Sequence, residues 1–410
     1  MEMTAFGRLG SPLAARRRLL SLVRPVTRVE TLPLGEAAGR ICAETVRALE
    51  AVPAFPRASW DGYAVRSRDL RAASRRAPVT LRVVAELHAE EFYPGQLGPG
   101  QAAAVATGAP MPRGADAVVI FEETRREGTR VRAFGPVSPG YAVVEPGEDM
   151  PRGERLVIPG QALTPARLGA LGAGGRLRVK VFARPRVALV PNGNELVPPG
   201  TTPRRGQIRE FNNVTLGALL RLAGAEVTPV PPVPDDPRQI EAKLREVLRS
   251  HDLVLATGGS SVGERDYLPQ VFPRIGQMLF HGLSVRPGKP TLAARAGGKL
   301  LLGLPGHPTS CLSNAFWLVL PLLDRLGRRP RPSLRATPAR LARPYGPLPR
   351  GFLTVVPVRL DRGWATPTFR GSSAITSLVG AEGFALLPGR GQRVPRGERI
   401  PIWELPFPLG

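Results

Sequence analysis

The sequence contains little of what marks a disulfide-stabilised, zinc-binding or membrane-spanning protein. It has 410 residues but only two cysteines, Cys42 and Cys311, and only four histidines. The cysteines lie far apart and no C-x-x-C pair occurs, so we expect neither a disulfide framework nor a structural zinc site. No apolar run approaches the roughly 18 residues that a transmembrane helix requires. We therefore expect a cytoplasmic protein that does not contact a membrane.

Acidic residues are scarce relative to basic ones. The chain has 57 Lys and Arg against 33 Asp and Glu, which gives a formal net charge of +24. Such an excess accompanies either nucleic-acid binding or an anionic substrate. The arginines are scattered, however, and no basic run is interleaved with aromatic residues as in a groove for single strands. We interpret most of this charge as solvated surface and expect no specific nucleic-acid partner.

Residues 184–329 alternate apolar strand candidates with helix candidates, which predicts an α/β domain with a doubly wound, mostly parallel sheet. Helix-start signals occur at Asp236 with Pro237, at Asn212 or Asn213, and at Thr309 or Ser310. Ligands of such sheets bind at the carboxyl ends of the strands. The loops predicted to meet there are "PNGNEL" (191–196), "PVPDDP" (232–237), "TGGSSVGERD" (257–266) and "LPGHPTS" (304–310).

The rest of the chain predicts further, smaller domains. Short strands are expected over 79–137, between two segments that we expect to be helical, 34–49 and 163–175. The pattern becomes β-like again after about residue 330. The predicted division is a discontinuous helical and linker domain (1–50 with 138–183), an inserted β-rich domain (51–137), the α/β domain (184–329) and a C-terminal β domain (330–410).

The loop after the strand at 253–257 has the composition of an anion site. Gly258 and Gly259 permit positive φ, so that backbone N–H groups can converge on one anion. Ser260 and Ser261 add hydroxyl donors, and Gly263 of the same loop is also expected to bind substrate. The Lys-Ser/Thr pair of a Walker A loop is missing. A plain tight turn is the alternative interpretation.

A second group of residues predicts binding of several negative charges. In "GLPGHPTS" the glycine leaves the backbone N–H groups accessible, and the prolines make the loop rigid. The loop leads into a long apolar helix, whose amino terminus carries partial positive charge. "VRPGKP" adds two cations on a rigid turn. The residues of this group are Arg286, Lys289, Pro305, Gly306, Pro308, Thr309 and Ser310.

Carboxylates are expected to face the same crevice. They are Glu195, Asp235, Asp236 and Asp266, although Asp236 can instead serve as a helix cap. Like charges beside an anion site repel one another unless a cation lies among them. Mg²⁺ is suited to that place because it binds carboxylate, phosphate and water oxygens.

Taken together, these strings resemble the molybdopterin molybdenumtransferase family, which includes the E domain of gephyrin. The matching strings, in the family's order, are "WDGYAV" (60–65), "TGAPMPRGADAVV" (107–119), "PGEDM" (146–150), "GNEL" (193–196), "TGGSSVGERD" (257–266), "RPGKP" (286–290) and "GLPGHPTS" (303–310), with a weaker match at "RGSSAITSL" (370–378). The resemblance implies a Mg²⁺-assisted transferase that inserts molybdate into adenylylated molybdopterin and releases AMP.

The resemblance also implies site residues and an assembly. The catalytic positions carried over by motif are Asp61, Thr107, Asp149, Glu195 and Asp266. The metal ligands would be Glu195, Asp235 and Asp266. The family implies an elongated homodimer in which Asp61, Thr107 and Asp149 approach the crevice of the partner subunit.

The sequence departs from the family pattern at several positions. Trp60 stands where Met is usual, Asn192 and Asn194 replace Thr and Asp, and His307 replaces Asn. The arginine usual shortly before Gly147 is also missing. These changes alter the charge around the site. The alternatives are a low-activity or tungstate-handling paralogue and a non-catalytic molybdopterin-binding or scaffold protein.

Overall fold

The structure is a computed structural model that describes residues 9–261, 263, 266–330 and 333–404. Val262, Glu264 and Arg265 of the glycine- and serine-bearing loop therefore lie outside the described residues. The chain divides into two compact units, a first unit of Met1–Glu30 with Phe182–Gly410 and a second unit of Thr31–Val181. Within the described ranges, every helix is too short or too polar to cross a membrane.

The regular elements are as follows. The α-helices are α1 (Pro12–Leu22), α2 (Pro165–Ala173), α3 (Asn212–Leu222), α4 (Pro237–Ser250), α5 (Leu268–Ile275), α6 (Pro308–Asn314) and α7 (Leu320–Leu326). The strands are β1 (Val29–Pro33), β2 (Val46–Arg47), β3 (Arg57–Ala58), β4 (Gly62–Val65), β5 (Val79–Leu87), β6 (Gln101–Val105), β7 (Ala117–Ile120), β8 (Thr124–Glu127), β9 (Arg130–Ala133), β10 (Val143–Val144), β11 (Arg155–Val157), β12 (Arg178–Phe182), β13 (Arg186–Pro191), β14 (Leu196–Val197), β15 (Ile208–Arg209), β16 (Glu226–Pro229), β17 (Leu253–Thr257), β18 (Gln277–His281), β19 (Val285–Arg286), β20 (Leu292–Ala296), β21 (Lys299–Leu304), β22 (Ala336–Leu341), β23 (Leu353–Asp361), β24 (Trp364–Pro367), β25 (Gly383–Pro388) and β26 (Arg399–Glu404).

The first unit is built on a six-stranded sheet of order β16-β13-β17-β21-β20-β18. The neighbours from β16 to β21 are parallel, whereas β20 and β18 are added antiparallel. Pro191 lies opposite Thr257, which in turn lies opposite Leu304, so the carboxyl ends of three strands lie side by side. The predicted α/β class with a mostly parallel sheet is confirmed.

Both faces of this sheet are covered by helices. Leu189 and Leu255 pack into the core formed with α1, α3, α6 and α7, whereas Val190 and Val254 pack into the core formed with α4 and α5. Successive strand residues point to opposite faces, so a strand buried on both sides needs an unbroken apolar run. This explains the continuous apolar strings from which the sheet was predicted.

The helix starts agree with the predictions in part. The Asp236 carboxylate caps α4 by accepting the N–H groups of Arg238 and Gln239 at 2.7 and 3.0 Å, with Pro237 at the first position, as predicted. The predicted asparagine cap of α3 is wrong, because the capping position is Phe211. The long apolar helix begins at Pro308 and continues through a π-helical turn at Ala315–Val319 into α7.

The asparagines at the start of α3 make other contacts. The Glu210 carboxylate accepts the Asn213 N–H at 2.9 Å and so supplies the capping contact from outside the helix. The side chains of Asn212 and Asn213 instead donate to the carbonyls of Gly306 and Val230. Tertiary contacts therefore take the side chains that the local pattern assigned to a cap.

The C-terminal strands form a second sheet in the first unit. Its order is β19-β23-β24-β22-β26-β25, and a further β23–β25 pairing closes five of the strands into a ring. Val356, Val358, Ile400 and Ile402 fill its interior. The predicted C-terminal β region is confirmed. The short strand β19, parallel to β23, joins this sheet to the turn at 286–290.

The second unit contains a six-stranded sheet of order β7-β4-β6-β5-β9-β8, which confirms the β-rich segment. Helix α2 is also confirmed and is capped by the Thr164 hydroxyl. The helix expected over 34–49 is wrong: a short 3₁₀ turn is followed by β2, which pairs with β11. Gly39 has φ of +71° there, a conformation that breaks a helix. The domain boundaries given above remain predictions.

Candidate functional site

Asn192 ties together the carboxyl ends of two central strands. It directly follows β13, is only 2% exposed, and donates its N–H to the Thr257 carbonyl at 2.9 Å. With its nitrogen facing the loop, the side-chain amide also donates to the carbonyls of Thr257 and Gly258 at 3.0 and 3.3 Å. Asn192, at the position where the family usually has Thr, is thus a buried contact between two loops in this chain.

Gly258 and Gly259 have φ of +87° and +55°, so the predicted positive φ is confirmed at both. A Cβ on Gly258 would lie 2.3 Å from the Asn192 carbonyl oxygen. This close approach gives the glycine a packing role besides its predicted anion contact. Of the two serines, Ser260 is buried, and its carbonyl lies 3.2 Å from Nε2 of His281.

The loop at 304–310 lies against the glycine loop. The Gly258 N–H donates to the Leu304 carbonyl at 3.3 Å, and a Cβ on Gly306 would lie 3.4 Å from the Gly258 Cα. Asn212 holds the same loop from α3 by donating to the Gly306 carbonyl at 2.8 Å. The loops from three neighbouring strands therefore meet as the sequence predicted.

The fourth predicted loop joins them through a reciprocal pair. The Asn194 N–H donates to Asp235 Oδ2, and the Asp235 N–H donates to Asn194 Oδ1, both at 3.1 Å. The convergence of the four loops on one sheet edge is thus confirmed. Asn194, where the family usually has Asp, makes this contact with an amide oxygen and adds no further negative charge.

The other carboxylates of this edge also bind backbone groups. Asp266 Oδ2 accepts the Gly263 N–H at 2.7 Å, and the Glu195 carboxylate folds over Gly193. Asp236 is engaged in its cap, and the N–H groups of Gln239 and Arg238 lower its pKa. Among the residues that the structure describes, no three His, Cys, Asp or Glu side chains are grouped to hold a metal ion. The predicted metal set of Glu195, Asp235 and Asp266 remains a prediction.

A cleft of about 850 Å³ lies beside these loops, entirely within the first unit. Its lining includes Arg286, Lys289, Pro305 and Ser310, so the structure brings four of the predicted substrate-binding residues together. Gly258 to Ser261 do not belong to the lining. The loop at 304–310 therefore contacts the glycine loop and also contributes to the lining of the cleft.

A buried polar cluster fixes the turn that carries the two predicted cations. Asn314 Nδ2 donates to the Gly288 carbonyl at 3.2 Å and to Thr291 Oγ1 at 3.0 Å. Asn314 Oδ1 accepts the Trp317 Nε1–H at 2.7 Å. All of these groups are buried, where hydrogen bonds are strong and unpaired groups are costly. Asn314, at the end of α6, thus holds the turn at 286–290 in place.

The start of α6 is tied to the C-terminal segment. The Thr309 N–H donates to the Ser372 carbonyl at 3.0 Å, and the Thr309 hydroxyl donates to the Ala374 carbonyl at 2.9 Å. His307 Nδ1 lies 3.3 Å from Ser372 Oγ. Thr309 is fully buried, so both of its donors serve contacts within the chain. Its contact with substrate, like that of Pro308, remains a prediction.

The C-terminal segment supplies part of the cleft lining that was not predicted from the sequence. Arg343, Tyr345, Phe369 and Thr354 all line it. Thr354 is only 8% exposed, and its hydroxyl has no partner among the described residues. One usable signal existed, since "RPYGPLP" places a cation before a turn of Pro and Gly, as "RPGKP" does.

Glu210 is a second residue that was missed. It is only 3% exposed and burial raises the pKa of its carboxyl, against the N–H groups of Asn213 and Asn212 that favour its charged form. Its charge also contributes to the raised pKa of Cys311, after burial of that thiol. An acidic residue two positions before the helix was the only signal in the sequence.

The predicted catalytic residues of the second unit fall into two groups. Asp61 Oδ1 accepts the N–H of Thr107 at 2.6 Å and its hydroxyl at 2.9 Å, so these two lie together. The Thr107 N–H, and then its hydroxyl, lower the pKa of Asp61, which stays ionised. Asp149 lies on a separate turn, where its N–H donates to the Val52 carbonyl.

Models of known domains match most of the chain. Residues 11–175 match the MoeA N-terminal region (domain I and II), and residues 338–405 match the MoeA C-terminal region (domain IV). Residues 188–325, which contain the mixed sheet and its loops, match a domain described as "Probable molybdopterin binding domain". The class that fold and site define is therefore a multidomain protein built around a molybdopterin-binding type of α/β domain.

Whole proteins of this class are similar over nearly the full length. The molybdopterin molybdenumtransferase of Bacillus subtilis is 31% identical over 91% of this chain and 89% of its own, and that of Synechococcus elongatus is 34% identical over 92% and 94%. A crystal structure of the molybdopterin biosynthesis MoeA protein from Pyrococcus horikoshii has a TM-score of 0.84 at 34% identity, covering 97% of this chain and 99% of that one. The chain belongs to the molybdopterin molybdenumtransferase family, a family of transferase enzymes.

Proposed function

We propose that the chain acts in molybdenum cofactor biosynthesis by inserting molybdate into adenylylated molybdopterin, with release of AMP. The observation that carries this proposal is the cleft, where Arg286, Lys289 and Arg343 lie in one lining. Guanidinium and ammonium groups suit oxyanions such as molybdate and phosphate. Tyr345 and Phe369 add flat apolar surface suited to a ring system.

The sulfur atoms that receive molybdenum belong to the substrate, so the reaction needs no protein thiol. Cys42 and Cys311 are free and buried, and burial raises the pKa of each. Thiols of this kind are poor nucleophiles and poor metal ligands. Free thiols also suit a reducing compartment, and we place the enzyme in the cytoplasm.

Mg²⁺ is the divalent ion of this proposal, with Asp235, Asp266 and Glu195 as its ligands. Asp235 and Asp266 each use one carboxylate oxygen on a backbone N–H, and no contact among the described residues engages the other. Mg²⁺ is usually held by one or two carboxylates together with substrate phosphates and water, so these residues fit without a preformed cluster. When bound, the ion would neutralise charge between the carboxylates and the phosphates.

The test is AMP release from adenylylated molybdopterin in the presence of molybdate and Mg²⁺. Lys289→Gln removes a cleft cation and should lower kcat/KM by about 10- to 100-fold, as expected for loss of a hydrogen bond to a charged group. Lys243→Gln removes the same charge from the surface, where Lys243 pairs with Glu246, and should leave the rate unchanged. Tungstate in place of molybdate tests the choice of oxyanion. Ligand binding without AMP release above a no-enzyme blank would support a non-catalytic binding protein.

We further propose a homodimer in which Asp61, Thr107 and Asp149 of one copy complete the cleft of the other. The family resemblance supports this proposal, and within one chain Asp61 and Thr107 lie together as the shared site would require. Mixed dimers with Asp61→Ala on one chain and Asp266→Ala on the other should keep one working cleft. Dimers with both changes on each chain should keep none. Equal loss in the two preparations would contradict shared clefts.

A further inference from the structure

A second concave site of about 310 Å³ lies at the opposite, amino-terminal edge of the mixed sheet. We call it the basic pocket. It is enclosed by the segment 23–28, by Asp252 and Leu253 at the start of β17, by the hairpin between β20 and β21, and by Leu326 at the end of α7. Its charged lining residues are Arg24, Arg28, Arg295 and Lys299, with Asp252 as the acid.

The wall formed by residues 23–28 is fixed by hydrogen bonds. Arg325 Nε donates to the Val23 carbonyl at 3.1 Å, and Arg328 Nε donates to the Val26 carbonyl at 2.9 Å. The Val26 N–H donates to the Leu326 carbonyl at 2.9 Å. The end of α7 thus holds this wall in one position, and the pocket is formed before any ligand arrives.

The single acid of the pocket is neutralised within the chain. Asp252 accepts both terminal nitrogens of Arg28 at 2.8 Å and also the Arg186 N–H at 2.8 Å. Burial opposes ionisation of this carboxyl, but the hydrogen bonds from Arg28 and Arg186 outweigh it and lower the pKa of Asp252. The carboxylate therefore stays charged and is paired with Arg28, and it also attracts Lys299.

Lys299 is held in place by contacts with the backbone. Its Nζ donates to the carbonyls of Leu248 and Arg249, at the carboxyl end of α4. Arg24 and Arg295 have neither an ion pair nor a side-chain hydrogen bond to any described residue. Both residues line the pocket, Arg24 as an exposed residue and Arg295 as a half-buried one. The lining carries four cations against one carboxylate.

We propose that the basic pocket binds a small phosphate-bearing ligand, with Arg24, Arg295 and Lys299 as its charge partners. Its volume is at the lower end of the range for small-molecule sites, which suits inorganic pyrophosphate or a sugar phosphate. Guanidinium groups bind phosphate oxygens through paired N–H donors, and a concave basic site raises the local concentration of anions. This proposal does not depend on the chemistry of the cleft.

The experiment is calorimetric titration of the full chain with pyrophosphate and, separately, with ribose 5-phosphate at about 0.15 M salt, where surface charges are largely screened. Arg24→Gln with Arg295→Gln should weaken binding at least 10-fold. Arg205→Gln with Arg390→Gln removes the same charge from exposed positions outside the pocket and should not. The ligand that binds more tightly identifies an inorganic or an organic source of the phosphate.

Two further variants keep the outcome clear. Arg286→Gln with Lys289→Gln removes cleft cations and should leave the basic pocket's isotherm in place. If the pocket double variant unfolds, the single changes Arg24→Gln and Arg295→Gln replace it, each with a smaller loss. Affinity equal to that of the exposed control, or binding abolished by the cleft variant alone, would overturn the proposal. AMP release should be unaffected by the pocket variants, which separates this result from a failure of the proposed function.

Discussion

Gly288 is a position where a single added methyl group should disrupt the cleft. Its φ is +110°, and a Cβ there would lie 1.7 Å from Nδ2 and 2.6 Å from Cγ of Asn314. Asn314 is fully buried and pairs with Gly288, Thr291 and Trp317. In Gly288→Ala, either the Asn314 amide or the turn that carries Arg286 and Lys289 must therefore move.

The cost follows from the contacts that would be lost. If the Asn314 amide rotates away, the Trp317 Nε1–H and the amide itself are left buried without partners, at about 1–3 kcal/mol each. Alanine at positive φ adds about 1–2 kcal/mol. The Gly288 carbonyl keeps one bond, since the Thr291 hydroxyl donates to it at 2.7 Å. We expect Gly288→Ala to lower the free energy of unfolding by about 3–8 kcal/mol.

The assay is urea unfolding, with Gly363→Ala as the matched control. Gly363 has φ of +81° and nothing within 4 Å of a Cβ, so its change carries the backbone penalty without the overlap. Adding Asn314→Ala to Gly288→Ala removes the overlapping amide, so the two changes should cost less together than the sum of their separate costs. A Gly288→Ala chain that is no less stable than Gly363→Ala would refute this prediction. Strict additivity of the Gly288→Ala and Asn314→Ala costs would refute it as well.

Two further predictions concern buried titratable groups. Burial raises the pKa of the Glu210 carboxyl above the ordinary value of a glutamate, so the folded state binds the proton more tightly and stability falls as pH rises through that folded pKa. Glu210→Gln should reduce this loss of stability with pH and raise the urea midpoint at pH 7. If the dependence of stability on pH does not change, Glu210 is not its cause. Cys42 and Cys311, whose pKa values burial raises, should not react with a thiol reagent at pH 8 until the chain is unfolded, and rapid labelling of the native chain would contradict their burial.

The sequence was most informative where structure depends on local pattern. Unbroken apolar strings predicted the parallel strands, and the Asp236-Pro237 pair predicted the start of α4, because both signals need only neighbouring residues. The loop convergence then followed from the geometry of parallel sheets. The antiparallel strands β18 and β20 were missed, since they lie between Gly- and Pro-containing turns without the helix that a parallel crossover provides.

The C-terminal half of the cleft could not be found in this way. Arg286 lies opposite Thr354 because β19 pairs with β23, and this register joins residues distant in sequence. No local period or spacing encodes such a pairing. The failed cap at α3 has the same origin, since Asn212 is taken by the Gly306 carbonyl across the sheet edge. Site residues whose position depends on pairing between distant parts of the chain therefore could not be predicted from the sequence.

One helix fixes two walls of the cleft. The first turn of α6 holds the C-terminal segment through Thr309, whose two donors bind the carbonyls of Ser372 and Ala374. Its last residue, Asn314, holds the cationic turn through Gly288. Both side chains are polar, buried and hydrogen-bonded, in a helix that continues into the apolar turn Ala315–Val319. An apolar helix packs against a sheet in many positions, whereas buried hydrogen bonds are satisfied in very few, so these two residues convert general packing into a defined distance between the walls of the cleft.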